Sequence, residues 1–144
     1  MSTDIRPEVS KKNEYWIPKH RYYELKHFVK QYPDWIRYLR EFDGKYSNPL
    51  RLKVVPENKL YPSDPTEEEV ERREYYQFRK GLVDICLSKA YDEVDDQTLQ
   101  QILQALVNGW SYDILKVKHN IPLSKDYYYI RYRKFFWLLD KVRK

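Results

Sequence analysis

The chain has 144 residues, 42% of them hydrophobic and 34% charged, and a net charge of +5. That is too much apolar surface for a disordered chain and too much charge for a membrane-embedded one, at a length suited to one folded unit or a small core with a helical arm. Cys86 is the only cysteine, which excludes an intramolecular disulfide and a cysteine-built zinc site. The start MSTDIRPEVSKKNEYWIP has no apolar stretch of a secretion signal, and no run is long enough to span a bilayer, so a cytoplasmic protein without membrane contact is expected.

Residues 1–14 are polar and aperiodic and read as a flexible tail. Residues 15–42 form an aromatic helical segment. Tyr22, Leu25, Phe28, Val29 and Tyr32 recur at helical spacing, followed by Trp35, Ile36 and Leu39, which predicts helices over about Lys19–Gln31 and Pro33–Glu41, with Pro33 tolerated in a first turn. Tyr15, Trp16, Tyr22, Tyr23, Trp35 and Tyr38 are the residue types that dominate interface hot spots. Tyrosine can equally serve as the bulk of a small core.

From Asp43 to Pro65 the spacing of Gly44, Pro49, Pro56, Pro62 and Pro65 breaks helical periodicity and predicts a long irregular connection, in which LRLKVV could form one short strand. Residues 66–144 then read as a helical core. Thr66 with Glu69 forms a capping box behind which Glu67 and Glu68 suit the helix dipole, and Val70, Tyr75, Phe78, Leu82, Ile85, Cys86 and Leu87 carry that helix to about Tyr91. Asp95 or Asp96 caps the next helix, whose stripe Leu99, Ile102, Leu103, Leu106 and Val107 stops at Asn108-Gly109.

Residues 111–144 hold nine basic side chains against three acidic ones, a net +6, whereas the preceding 110 residues hold 18 basic and 19 acidic groups. The whole positive excess therefore sits in the last quarter, where it favours a polyanionic partner. Within it Ser111 caps a helix over Tyr112–His119, Asn120 suits a left-handed turn, and Ser124 caps a helix from Lys125 to about Val142. Tyr128, Tyr132, Phe135, Leu139 and Val142 are expected inside. Ser124, Lys125, Tyr129 and Arg133 are expected on the outer face near the start of the last helix, with Lys116, Lys118, Arg131 and Lys134 available to phosphates. In a helix-turn-helix those are the positions that meet base edges and backbone. The alternative reading of the same stripe is a helical hairpin whose charges only keep it soluble. The fold expected is thus all-α, a small helical bundle with a helix-turn-helix-like unit at 111–144.

His20, Glu24 and His27 share a helix face without a third fixed ligand, the acidic cluster at Asp92, Glu93, Asp95 and Asp96 is explained by a capped turn, and no nucleophile motif or phosphate-binding glycine loop occurs. No metal, no cofactor and no catalysis are expected.

The stretch SYDILKVKHNIPLSKD resembles the helix-turn-helix of sigma-factor region four. It departs from that pattern at Asp126, where an aliphatic residue is usual, and at Asn120, where glycine is. Over about residues 19–42, 63–80 and 109–141, including RYYELKHFVKQYPDW, SDPT and IPLSKDYYYIRYRKFFWLLDK, the chain is similar to proteins of phages and prophages of Gram-positive bacteria, and in outline to the RinA and ArpU types of phage transcriptional regulator. The resemblance implies a regulator whose partner is double-stranded DNA, with host RNA polymerase or another host protein as a second partner. The acidic turn from Thr66 to Glu74 and the basic C-terminus can pair between subunits, which suits a homodimer, the form that a palindromic operator would require. Two alternatives stand beside it: a small phage inhibitor of a host protein, such as an anti-CRISPR, which would use the same basic and aromatic face, and a DNA-packaging adaptor resembling a terminase small subunit, which would form a ring-shaped oligomer.

Overall fold

The structure is a computed structural model that describes residues 13–46 and 64–143. All regular structure among the described residues is helical: α1 (Lys19–Lys30), α2 (Tyr32–Tyr46), α3 (Glu67–Ala90), α4 (Asp96–Asn108), α5 (Tyr112–His119) and α6 (Lys125–Val142). None of them is long and apolar enough to cross a membrane. Most of the expected tail and connection, with the LRLKVV stretch, lies outside the described residues.

The described residues divide into two compact units, one made of 13–32 with 82–143 and the other of 33–46 with 64–81. In the first, α1 packs on α4 and α6, and α5 packs on α4 and α6. Its core is built from Leu25, Phe28, Val29, Val83, Ile102, Leu115, Ile121, Phe135, Phe136 and Leu139, all buried, and to an unusual degree from tyrosine. Tyr91 is fully buried and its hydroxyl donates to the Tyr128 carbonyl at 2.9 Å, while Tyr22 and Tyr132 join hydroxyls at 2.6 Å. Each ring thus adds bulk while its polar tip finds a partner inside, the condition under which buried tyrosine is stabilising. Burial pushes the Tyr91 phenol well above its ordinary range, so the hydroxyl stays neutral and able to donate. Tyr22, expected among the binding aromatics, is a core residue for the same reason, its ring edge-on to Phe136 at 5.2 Å.

Polar contacts close the ends. Arg21 donates from Nε to Asp140 Oδ1 at 2.6 Å and also reaches the Arg143 carbonyl, tying the first turn of α1 to the end of α6. Arg143 in turn lies over the Phe28 ring at 4.2 Å. Where α1 gives way to α2, the Tyr32 hydroxyl donates to Asp84 Oδ1 of α3 at 2.6 Å.

The second unit is thinner. Trp35 and Leu39 are its buried apolar residues among those described; Trp35 therefore packs inside, although its residue type suggested a binding surface. The rest is an aromatic and polar clasp. Tyr38, Phe42 and Tyr46 follow one another at i, i+4 along α2 with ring centroids 6.4 and 4.9 Å apart, and Tyr38 meets Tyr76 of α3 at 5.1 Å. That ladder explains why α2 runs to Tyr46 when its sequence predicts an end at Glu41: the rings and their partners on α3 outweigh the roughly 1 kcal/mol that Gly44 costs inside a helix. The irregular connection expected from Asp43 therefore starts no earlier than residue 47.

Candidate nucleic-acid interface

The capping residues of the last three helices behave as their chemistry requires. The Asp95 carboxylate accepts from the Thr98 N–H and hydroxyl, Ser111 Oγ from the Ile114 N–H and Ser124 Oγ from the Tyr127 N–H. Each satisfies one of the amides that a helix start leaves unpaired. At the other ends Gly109 and Asn120 both take the left-handed conformation, with φ of 74° and 48°, and return their N–H groups to the Ala105 and Lys116 carbonyls. Asn120 is the only non-glycine residue of positive φ among those described, and asparagine is the side chain that tolerates that region best.

Residues 111–143 thus form two capped helices joined by a five-residue connection, Asn120 to Ser124. Three contacts hold the pair in place. Ile121 is fully buried within the connection, the Tyr112 hydroxyl donates to the Leu123 carbonyl at 2.5 Å, and Lys116 Nζ donates to the Ile121 carbonyl at 2.9 Å. A second tyrosine at this junction departs from expectation. Tyr129 is buried, and its hydroxyl accepts the Tyr112 N–H at 2.9 Å. It supplies the acceptor for an amide in the first turn of α5 that has no helical partner, and its ring meets Tyr128 and Tyr132 edge-on at 5.0 and 5.8 Å. A side chain so engaged cannot reach a base. Its sequence position suggests the outer face, but the buried sector of α6 is wide enough to take in both Tyr128 and Tyr129, which as consecutive residues lie about 100° apart.

The remaining residues singled out from the sequence are distributed as follows. Lys116, Lys118, Ser124 and Lys125 are exposed. Lys118 Nζ sits 4.6 Å from the centre of the Trp110 ring, which also stacks near His119 at 5.7 Å. Lys125 Nζ is 3.9 Å from Asp113 Oδ1, so the first turns of α6 and α5 carry a loose ion pair between two exposed groups. Arg131 is drawn aside, over the Tyr127 ring at 5.0 Å and 3.9 Å from Asp92. Arg133 and Lys134 are half-buried. Lys116, Lys125 and Ser124 therefore stand around the junction of the two helices, and the arginines lie further along α6.

Two further differences concern apolar residues. Phe136, not picked out from the sequence, is buried, whereas Val142, expected inside, is half exposed. On α5 the side chains opposite Tyr112 and Leu115 are also apolar: Val117 is 84% exposed and Ile114 43%, and Ile130 of α6 is exposed as well. An eight-residue helix with apolar residues on both sides was legible in YDILKVKH, because 112, 115 and 119 share one face and 114 and 117 the other.

No protein family, no curated protein and no solved structure matches this chain.

Proposed function

We propose that this chain is a phage-type transcriptional regulator that binds double-stranded DNA through α5 and α6 and acts by binding, without a catalytic step. One observation carries the reading: the entire positive excess of the chain falls on two capped helices joined by a short, tightly held turn, with Lys116, Lys118 and Lys125 exposed there. The start of α6 adds the partial positive charge of a helix N-terminus beside Lys125. In helix-turn-helix proteins the corresponding end of the second helix enters the major groove, and lysines around it take phosphates. The Lys125–Asp113 pair is exposed at both ends, so its exchange for a phosphate contact costs little. On this reading Ser124 and Ile130 face bases, Lys116, Lys118 and Lys125 hold the backbone, and Tyr129 keeps the two helices in register. The choice of transcription over other uses of DNA rests on the resemblance of SYDILKVKHNIPLSKD and its flanking stretches to RinA and ArpU regulators alone, since no family model matches the chain.

The test is binding to DNA fragments, including DNA around the protein's own gene, at low and physiological salt. Sequence-preferring binding at physiological salt is expected, and each of Lys116→Ala, Lys118→Ala and Lys125→Ala should lower the slope of log K against log salt by about 1. Binding that vanishes at physiological salt and ignores all three substitutions would overturn the reading.

The exposed Ile114 and Val117, on one face of α5, favour a second reading, inhibition of a host protein through this helix, since exposed apolar residues flanked by lysines suit a protein partner. Val117→Glu separates the two: it abolishes capture of a protein partner while costing DNA affinity only through its added negative charge.

A further inference from the structure

The long helix α3 carries apolar residues on two faces. Val83, Cys86, Leu87 and Ala90 are buried, whereas Tyr75, Phe78 and Ile85 are 50%, 64% and 55% exposed. Spaced three and four apart with the half-buried Leu82 between them, these occupy alternating a and d positions of a heptad pattern that continues outward to the exposed Glu71 and Lys89. Because α3 is one uninterrupted helix from Glu67 to Ala90, helix geometry alone puts the six side chains in one seam.

The seam is self-complementary when reversed. About a two-fold axis at position 80, Tyr75 meets Ile85, Phe78 meets Leu82, and Glu71 meets Lys89, each a position facing the d position of the other helix, as antiparallel coiled coils require. In a parallel pairing Glu71 would face Glu71 and Lys89 would face Lys89, so charge selects the antiparallel form. Next to the axis stands Gly81, where a side chain would meet nothing within 4 Å, so the two helices can approach closely. Arg79 is held over the Tyr75 ring at 4.4 Å, which extends the apolar surface along the seam.

We infer that the outer face of α3 is a docking surface for a second copy of this chain, which pairs antiparallel with it through Tyr75, Phe78, Leu82 and Ile85, with Glu71 and Lys89 at the two ends. The apolar part of the seam covers about 15 Å of helix, short for an obligate interface, so the dimer is concentration-dependent. This contact stands apart from the α5–α6 reading and does not rest on it.

Sedimentation equilibrium of the full chain tests it. The mass should rise with concentration from 17.9 kDa towards twice that value, and Phe78→Glu, at an exposed position, should abolish the rise while the circular dichroism stays unchanged. Glu71→Lys should weaken the dimer about tenfold through two end repulsions, and Glu71→Lys with Lys89→Glu should restore it. Under mild oxidation the double variant Tyr75→Cys/Ile85→Cys should cross-link as a dimer and neither single variant should. A chain that stays monomeric to about 1 mM, a dimer indifferent to Phe78→Glu, or cross-linking by Tyr75→Cys alone would each overturn the proposal.

Discussion

The two units are held together by different physics. The one built from residues 13–32 and 82–143 encloses a core of aliphatic residues and tyrosines, of which Tyr91, Tyr22 and Tyr132 bond through their hydroxyls within the protein, whereas the one built from 33–46 and 64–81 has few buried apolar residues and gathers its polar contacts on a single carboxylate. Glu69 accepts the Thr66 N–H at 3.0 Å and the Tyr46 hydroxyl at 2.7 Å, and Lys45 Nζ lies 3.3 Å away. Chiefly the Thr66 amide, then the Tyr46 hydroxyl and the Lys45 ammonium, hold that carboxyl down at about 2. Where apolar area is scarce, one polar group shared among a helix cap and two side chains of the neighbouring helix does the joining, and it is sensitive to pH and salt in ways a buried ring is not.

The largest effect is expected at Phe135, fully buried in the first unit. Phe135→Ala should cost about 3–5 kcal/mol in urea denaturation, enough to unfold a marginal domain; a loss under 1 kcal/mol would mean that this core is not close-packed. Next comes Tyr129→Phe, which leaves the Tyr112 N–H without its acceptor and should cost about 1–3 kcal/mol. Since Tyr129 is placed inside, DNA affinity measured on the folded fraction should change little, and a large specific loss would return it to the interface. Ser124→Ala removes the cap of α6 and should cost about 1 kcal/mol, read as a shift of the urea midpoint.

The smallest effect is confined to the thin unit. The Glu69 carboxyl has a folded pKa below its ordinary 4.5, so the unfolded chain binds the proton first as pH falls. The stability it contributes is complete above about 4.5 and is lost as pH falls from there through about 2. Amide exchange in α2 and the first turns of α3 should therefore accelerate over that window, and Glu69→Gln should flatten the change. Equal acceleration throughout the first unit would remove the contrast between them.

Much of this was legible in the sequence because it depends on neighbours along the chain. The Thr66–Glu69 capping box, the Asp95, Ser111 and Ser124 caps, the Gly109 and Asn120 stops and the bounds of α4, α5 and α6 all concern groups a few residues apart, whose hydrogen bonds do not wait for the rest of the fold. Tyr129 and Tyr46 mark where that legibility ends. A run of YYYIRYRKFF offers aromatic side chains in nearly every direction, and only packing against α5 determines that Tyr128 and Tyr129 both go in. Likewise Gly44 reads as a stop until Tyr46 finds Glu69 on another helix.

The candidate interface divides in the same way. Its charge, its two helices and their caps are properties of local sequence, since a count of lysines and a capping hydroxyl need no tertiary partner. Which side chains stand outward was decided by contacts 17 and 39 positions apart in the chain, the Tyr129 hydroxyl on the Tyr112 amide and Arg131 towards Asp92. The α3 seam is the converse case: its spacing was visible as ordinary helical periodicity, but only the burial of Val83, Cys86, Leu87 and Ala90 on the other side leaves Tyr75, Phe78 and Ile85 facing outward. Periodicity specifies that a helix has an apolar face; which of two such faces is covered depends on the helices packed against it.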